Sequence, residues 1–236
     1  MSGSKQYIEM QRAWYEQAAG RSSYDAEAKL DAVVGSYDAH NDWPDYDRFL
    51  MQGVDDSYKN KVALDFACGP GRNIVKYADR FSRIDGADIA QANLDNAKTN
   101  LGHHGIETPN LFLTDGRSCG DAANDTYDMV FSTIALQHIC VHEVRYAIFE
   151  DMYRILKPGG RISIQMGFGW SDGKASYYDN HYEATTTNSG HDTMVENTDF
   201  LEDDLNKIGF VNFQCWIRPP VPGDSHPYAI FFMAVK

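Results

Sequence analysis

Basic residues are scarce in this chain. Its 236 residues hold 21 Lys and Arg against 34 Asp and Glu, a formal net charge of −13. A surface of that sign repels phosphate backbones, and no run of Lys or Arg offers a local basic patch, so no nucleic-acid partner is expected. Long apolar runs are missing as well. None approaches the ~18 residues of a membrane span, so no membrane is expected either. The opening residues, Met1-Ser2-Gly3-Ser4-Lys5-Gln6, lack the apolar core of a secretory leader. The four cysteines, Cys68, Cys119, Cys140 and Cys215, are scattered without a Cys-x-x-Cys pair. That excludes a disulfide scaffold, argues against a zinc or other metal site, and points to a reducing, cytoplasmic setting. There is no internal repeat and no low-complexity tract. The composition that remains, 43% apolar and 23% charged, suits one soluble domain with a sizeable core.

The order of elements is more telling. Short apolar runs at 62–67, 84–89, 111–114, 128–133 and 161–166 read as strands. Between them lie helical patterns: Ile74, Tyr77, Ala78 and Phe81 share a face, then Leu94, Ala97 and Leu101, then Val141, Val144, Ile148, Met152 and Ile155. Gly102 is placed to cap the second of these, and Pro158-Gly159-Gly160 to end the third. A last helix carries Leu201, Leu205 and Ile208 and opens at Asp199, with Glu202 at capping-box spacing. Two further strands, 211–217 and 228–235, close the chain. This alternation predicts an α/β fold with a parallel sheet covered on both faces. Two segments fall outside it. Residues 1–60 are helical in pattern and rich in aromatics, among them Tyr7, Trp14, Tyr15, Tyr24, Tyr37, Trp43, Tyr46 and Phe49, and are expected to form a cap. Residues 169–196, with Trp170, Tyr177, Tyr178 and Tyr182, are too long for a simple connection and are expected to form a lid over the rest of the domain, 61–236.

In such sheets ligands bind beyond the carboxyl ends of the strands, beside the first one. The turn there reads Asp65-Phe66-Ala67-Cys68-Gly69-Pro70-Gly71-Arg72-Asn73. Gly-x-Gly alone is a weak signal, since a tight turn at positive φ needs glycine without any ligand. A dinucleotide site would want a third glycine where Ile74 stands, so the dehydrogenase fingerprint is incomplete.

The following motifs narrow the choice. Asp65-x-Ala67-x-Gly69-x-Gly71 resembles the Asp-x-Gly-x-Gly-x-Gly loop of class I S-adenosylmethionine-dependent methyltransferases, with Ala67 in place of the first glycine. Gly86-Ala87-Asp88-Ile89 is similar to that family's second-strand end, and Thr114-Asp115-Gly116 to its third. Tyr127-Asp128-Met129-Val130-Phe131-Ser132, followed by Leu136-Gln137-His138-Ile139, resembles the fourth strand of its small-molecule branch, and Leu156-Lys157-Pro158-Gly159-Gly160 the turn before the fifth. The resemblance implies a Rossmann-like, seven-stranded, mostly parallel sheet with the last strand antiparallel, and S-adenosylmethionine as cofactor. It also implies an acidic residue, Asp88, on the ribose hydroxyls, and Asp115 near the adenine amine. Asp88 as a helix cap and Asp115 as a turn residue are the plainer readings. Asp65 is expected to orient the loop through backbone amides and to reach the ligand's ammonium through water. Arg72 is placed either to pair with the ligand's carboxylate or to face solvent.

Methyl transfer is an in-line displacement, so the protein mainly aligns the nucleophile and excludes water. An oxygen or nitrogen acceptor must still lose its proton. His138, just past the fourth strand, is the candidate base; a structural or pocket-shaping histidine is the alternative. Trp170, Tyr178, His181, Tyr182 and His226 are expected to converge with it around a small-molecule acceptor, with Asp224 at the same edge. The expected function is methyl transfer to nitrogen or oxygen of a small polar molecule. A protein methyltransferase and a non-catalytic S-adenosylmethionine-binding module are the alternatives, and a nicotinamide dehydrogenase comes last. Ser132-Thr133-Ile134-Ala135 stands where nucleic-acid amino-methyltransferases carry Asn/Asp-Pro-Pro-aromatic.

Overall fold

The computed structural model describes residues 3–21, 30–31, 35–36, 46–107, 110–169, 174–183, 192–220 and 228–236. The core is one sheet. Its strands are β1 (Val62–Phe66), β2 (Arg83–Asp88), β3 (Leu111–Leu113), β4 (Tyr127–Ser132), β5 (Leu156–Phe168), β6 (Ala175–Ser176), β7 (Thr193–Val195), β8 (Val211–Arg218) and β9 (Ala229–Val235). The order along the sheet is β8-β9-β5-β4-β1-β2-β3; β7 joins β5 and β6 joins β7. Only β9 runs antiparallel to its neighbours β5 and β8. The seven expected strands are thus the spine, and two short strands from the 169–196 segment raise the total to nine. At two and three residues, β6 and β7 are too short to show a period in the sequence.

Alternation along the strands sends side chains to both faces. Leu64, Phe66, Val130, Ile162 and Ile164 pack with α5 (His142–Ile155) and α6 (Thr198–Ile208). Ala63, Met129, Phe131 and Ile84 pack on the other face with α2 (Tyr46–Leu50), α3 (Arg72–Tyr77) and α4 (Gln91–His103). Three helix boundaries differ from the sequence reading. The cap of α6 is Asn197, two residues before Asp199, and its side chain accepts from the Asp199 amide. Gly102 lies inside α4, and the chain turns at Gly105 (φ +64°). α3 stops at Tyr77 and gives way to tighter bonds, Ala78 N–H to Val75 O and Arg80 N–H to Tyr77 O.

The N-terminal α1 (Gly3–Arg21) lies across the carboxyl edge of the sheet. α4 has no side-chain cap of its own, because Ala90 holds the cap position. Glu16 of α1 supplies the missing acceptors: its carboxylate takes the amides of Gln91 and Ala92. A carboxylate at a helix N-terminus is favoured by both the free N–H groups and the helix dipole. Arg12 donates to Thr114 O at 3.1 Å, and Asn96 to Ala19 O at 3.3 Å. Tyr24, Tyr37 and Trp43 lie outside the described residues.

Two described pieces of 169–196 join the sheet, as β6 and β7. Gly167 and Phe168 of β5 pair with Met194 and Val195. The fully buried Arg145 of α5 bonds Thr193 Oγ1 at 3.0 Å and also holds the carbonyls of Ile139 and Tyr177.

Candidate active site

One cavity opens at the carboxyl ends of β1 and β4. Ala67, Gly69, Arg72, Asp88, Ile89, Gly116 and His138 line it, which brings together seven of the residues singled out from the sequence. It is also lined by Gln11 and Tyr15 of α1, Asn73, Asn93, Thr114 and the Thr133–Ala135 turn.

The turn after β1 is shaped by its backbone. Ala67 has φ +58° and Gly69 φ +53°. Left-handed backbone costs an alanine roughly 1–2 kcal/mol, which is the physical reason for a glycine at position 67 in the motif this chain resembles. A Cβ built on Gly69 would meet nothing within 4 Å, so this face of the turn looks into open space. Asp88 fixes the turn. Its Oδ2 accepts from Gly69 N–H at 2.9 Å, while Oδ1 accepts from Ala90 N–H at 2.9 Å and Asn93 Nδ2 at 3.1 Å. A carboxylate has about four acceptor positions. Three are used here, which leaves one for a ligand hydroxyl.

Asp65 behaves differently from the sequence reading. It orients no loop amide: both carboxylate oxygens are buried and make no hydrogen bond. Asn73 donates to Thr133 Oγ1 at 3.2 Å. Burial pushes the Asp65 carboxyl up to about 8, against the weaker pull of Asn73 and Arg72. An orphaned acid beneath the glycine turn fits a ligand that brings its own positive donor, such as the ammonium of a methionine moiety. The expected consequence is proton-linked binding. Below pH 8 the ammonium must displace a proton from Asp65, so affinity should rise as pH approaches 8 and each binding event should release a proton. Calorimetry in two buffers of different ionisation heat measures that release, and Asp65→Asn should abolish it. Binding without proton release would remove Asp65 from the ligand's ammonium.

Other residues singled out from the sequence do not line the cavity. Asp115 is exposed in a turn, where the Arg117 amide and Ser118 hydroxyl, each at 2.8 Å, outweigh partial burial and hold its carboxyl below the ordinary value. Gly116, beside it, faces the cavity, and a side chain there would strike Ile8 of α1. Ser132 ties two strands together through Phe66 O at 2.8 Å. Gly71, at φ +82°, lets α3 start against Ala97 and Leu101. Tyr178 belongs to a ring cluster with His142 and Phe200, at centroid distances of 4.8 and 4.9 Å. His181 bonds Asp179 and Cys140 O, and Tyr182 packs on Gly3 at the start of α1. Trp170, Asp224 and His226 lie outside the described residues.

His138 sits on a short 3-10 turn, Leu136–His138. Its carbonyl accepts from Gln11 Nε2 at 3.2 Å, and the next amide but one, Cys140 N–H, donates to Tyr7 Oη at 2.8 Å. α1 therefore holds the histidine's backbone as well as lining the cavity. The side chain meets Asp192: Nδ1 lies 2.7 Å from Oδ1. Sequence reasoning singled out neither Asp192 nor Gln11. In the sequence Tyr15 is one N-terminal aromatic among several.

Comparison with known proteins agrees with this geometry. Residues 63–160 match a family described as a methyltransferase domain. The chain is 29% identical over 166 residues to Phosphoethanolamine N-methyltransferase 2 of Caenorhabditis elegans, covering 70% of this chain and 36% of that protein. It therefore spans about a third of that relative's length. Among solved structures, Haemonchus contortus phosphoethanolamine N-methyltransferase 2, in complex with phosphomonomethylethanolamine and S-adenosylhomocysteine, superposes with a TM-score of 0.65 at 18% identity, covering 94% of this chain and 60% of that one. Geranyl diphosphate C-methyltransferase of Streptomyces coelicolor A3(2) superposes at 0.63 with 14% identity and 97% coverage of both chains. No described helix is long and apolar enough to cross a membrane. Residues 63–160 thus match a methyltransferase domain, and the fold and the turn held by Asp88 agree with the resemblance to the class I S-adenosylmethionine-dependent methyltransferases.

Proposed function

We propose that the chain transfers a methyl group from S-adenosylmethionine to a nitrogen or oxygen of a small polar molecule. One observation carries this reading: the Gly69 turn, Asp88 and His138 line a single cavity. Asp65, Gly69 and Asp88 form the cofactor end. His138 stands on the opposite side, past β4, where an acceptor would enter. The bound cofactor supplies a methyl that is already electrophilic. The chain's own work is to align the acceptor, exclude water and take its proton. Gln11 and Tyr15 of α1 roof the cavity and keep it dry, and His138 is the proton acceptor. Apolar Ile134, Ala135, Ile139 and Ile148 enclose a small molecule, while His138 and Thr133 offer it hydrogen bonds. The relative and the solved neighbour named for phosphoethanolamine support a small amine as the first acceptor to try.

The test is transfer of a labelled methyl group to a panel of amines, phospho-amines and hydroxy acids. Formation of a methylated small molecule is the expected result. Labelling confined to proteins of a cell extract would favour a protein substrate. Cofactor binding with no transfer to any of these would favour a binding module.

A further inference from the structure

We infer that Asp192 is the positioning residue of this site: it holds His138 as the Nδ1–H tautomer, so that Nε2 is the nitrogen that accepts a proton. The contact between them is short, 2.7 Å from Nδ1 to Oδ1, and largely screened from water, with side-chain exposures of 22% for His138 and 9% for Asp192. A carboxylate can only accept, so the proton of that bond belongs on Nδ1. No described residue bonds Nε2. Lys174 Nζ lies 3.6 Å from the other carboxylate oxygen and places a positive charge beside it.

The pair is held from both ends. The carbonyl of Asp192 accepts from Ala175 N–H at 2.9 Å, which pins the residue beside β6. The next residue, Thr193, begins β7, and its hydroxyl donates at 3.0 Å to the carbonyl of Ile139, the neighbour of His138. Arg145 bonds the same hydroxyl and the same carbonyl. From the opposite side Gln11 holds the carbonyl of His138. Residues 54 positions apart are thereby fixed at one distance by strand pairing and a buried guanidinium. A base held in one tautomer by a buried carboxylate is oriented before the acceptor arrives, and the imidazolium formed on proton transfer is stabilised by the same carboxylate. When an acceptor O–H or ammonium loses its proton to Nε2, the ring becomes cationic and Asp192 remains a carboxylate.

The consequence for catalysis rests on the methyl-transfer reading; the tautomer itself does not, and the experiment separates the two. Histidine-labelled 15N spectra, recorded at a pH where the ring is neutral, distinguish a protonated from an unprotonated ring nitrogen. For His138 the expected pattern is protonated Nδ1 and bare Nε2. In Asp192→Asn, nearly isosteric, Lys174 draws the amide oxygen to its side and the NH2 then faces Nδ1, so the proton should move to Nε2 and the pattern should invert. Asp192→Glu should keep the original pattern. An Nε2–H tautomer in the unmodified chain, or a pattern unchanged by Asp192→Asn, would overturn the assignment. With a turned-over acceptor in hand, Asp192→Asn should lower kcat by about 10²–10⁴-fold and cost nothing further in a His138→Ala background. An inverted tautomer with full turnover would leave the positioning intact and remove His138 from proton transfer.

Discussion

His138→Ala is expected to lower turnover by about 10²–10⁴-fold while leaving cofactor affinity nearly intact. The two effects separate because the cavity has two ends. In the proposed reading the cofactor end is Gly69 and Asp88, with Asp65 buried beneath the turn, and none of them bonds His138. His138 is carried by the turn after β4 and braced by Gln11 and Asp192. Removing its ring takes the imidazole from Asp192 but leaves Gln11 on the backbone carbonyl, and it does not touch the glycine turn. If the ring takes a proton from the acceptor, kcat and kcat/KM fall together; if it only shapes the pocket, KM rises with kcat nearly unchanged. Steady-state kinetics on the best acceptor from the panel distinguishes these outcomes, and the second would end the base role.

Gly69→Val is expected to weaken cofactor binding by about 100-fold or more, roughly 3 kcal/mol. Two causes add. The backbone at Gly69 has φ +53°, which a β-branched residue adopts only with strain. Its missing side chain would project into open space within the cavity rather than into protein, so the cost falls on the ligand more than on the fold. Thermal unfolding separates the two contributions. The expected variant loses only a few degrees of melting temperature and most of its affinity. A variant that binds normally would mean that the turn does not face the cofactor.

The sequence made the spine of this fold legible because the physics there is local. Short apolar runs with glycine turns, alternating with helical periods, leave few alternatives to a parallel sheet, and all seven expected strands are present. Ala67 shows how far a motif can be read: the departure from glycine was visible, but the left-handed backbone that makes it costly was not. Asp65 shows the limit in another way. Its position at the strand end suggested loop bonds, whereas burial without a partner is a property of the folded turn.

The acceptor side was least legible, because it is built from distant residues. Tyr178 was expected beside His138, yet an exposed aromatic gains more by packing edge-on against His142 and against Phe200 on the flank of α5 and α6. What the segment after β5 brings to the site is Asp192, one polar residue in a polar stretch, distinguishable only once β7 pairs with β5. The N-terminal cap was expected as a unit. Its particular contacts, Glu16 on the start of α4 and Gln11 on His138, follow no local pattern.

The most direct test of the central claim is calorimetric titration of the unmodified chain with S-adenosylhomocysteine, repeated on Asp88→Ala. One site per chain is expected, weakened in the variant by about 1.5–3 kcal/mol, since that carboxylate both holds the Gly69 amide and offers its remaining acceptor position to the ligand. No binding by the unmodified chain, or binding that Asp88→Ala leaves unchanged, would contradict the assignment of this cavity to the cofactor.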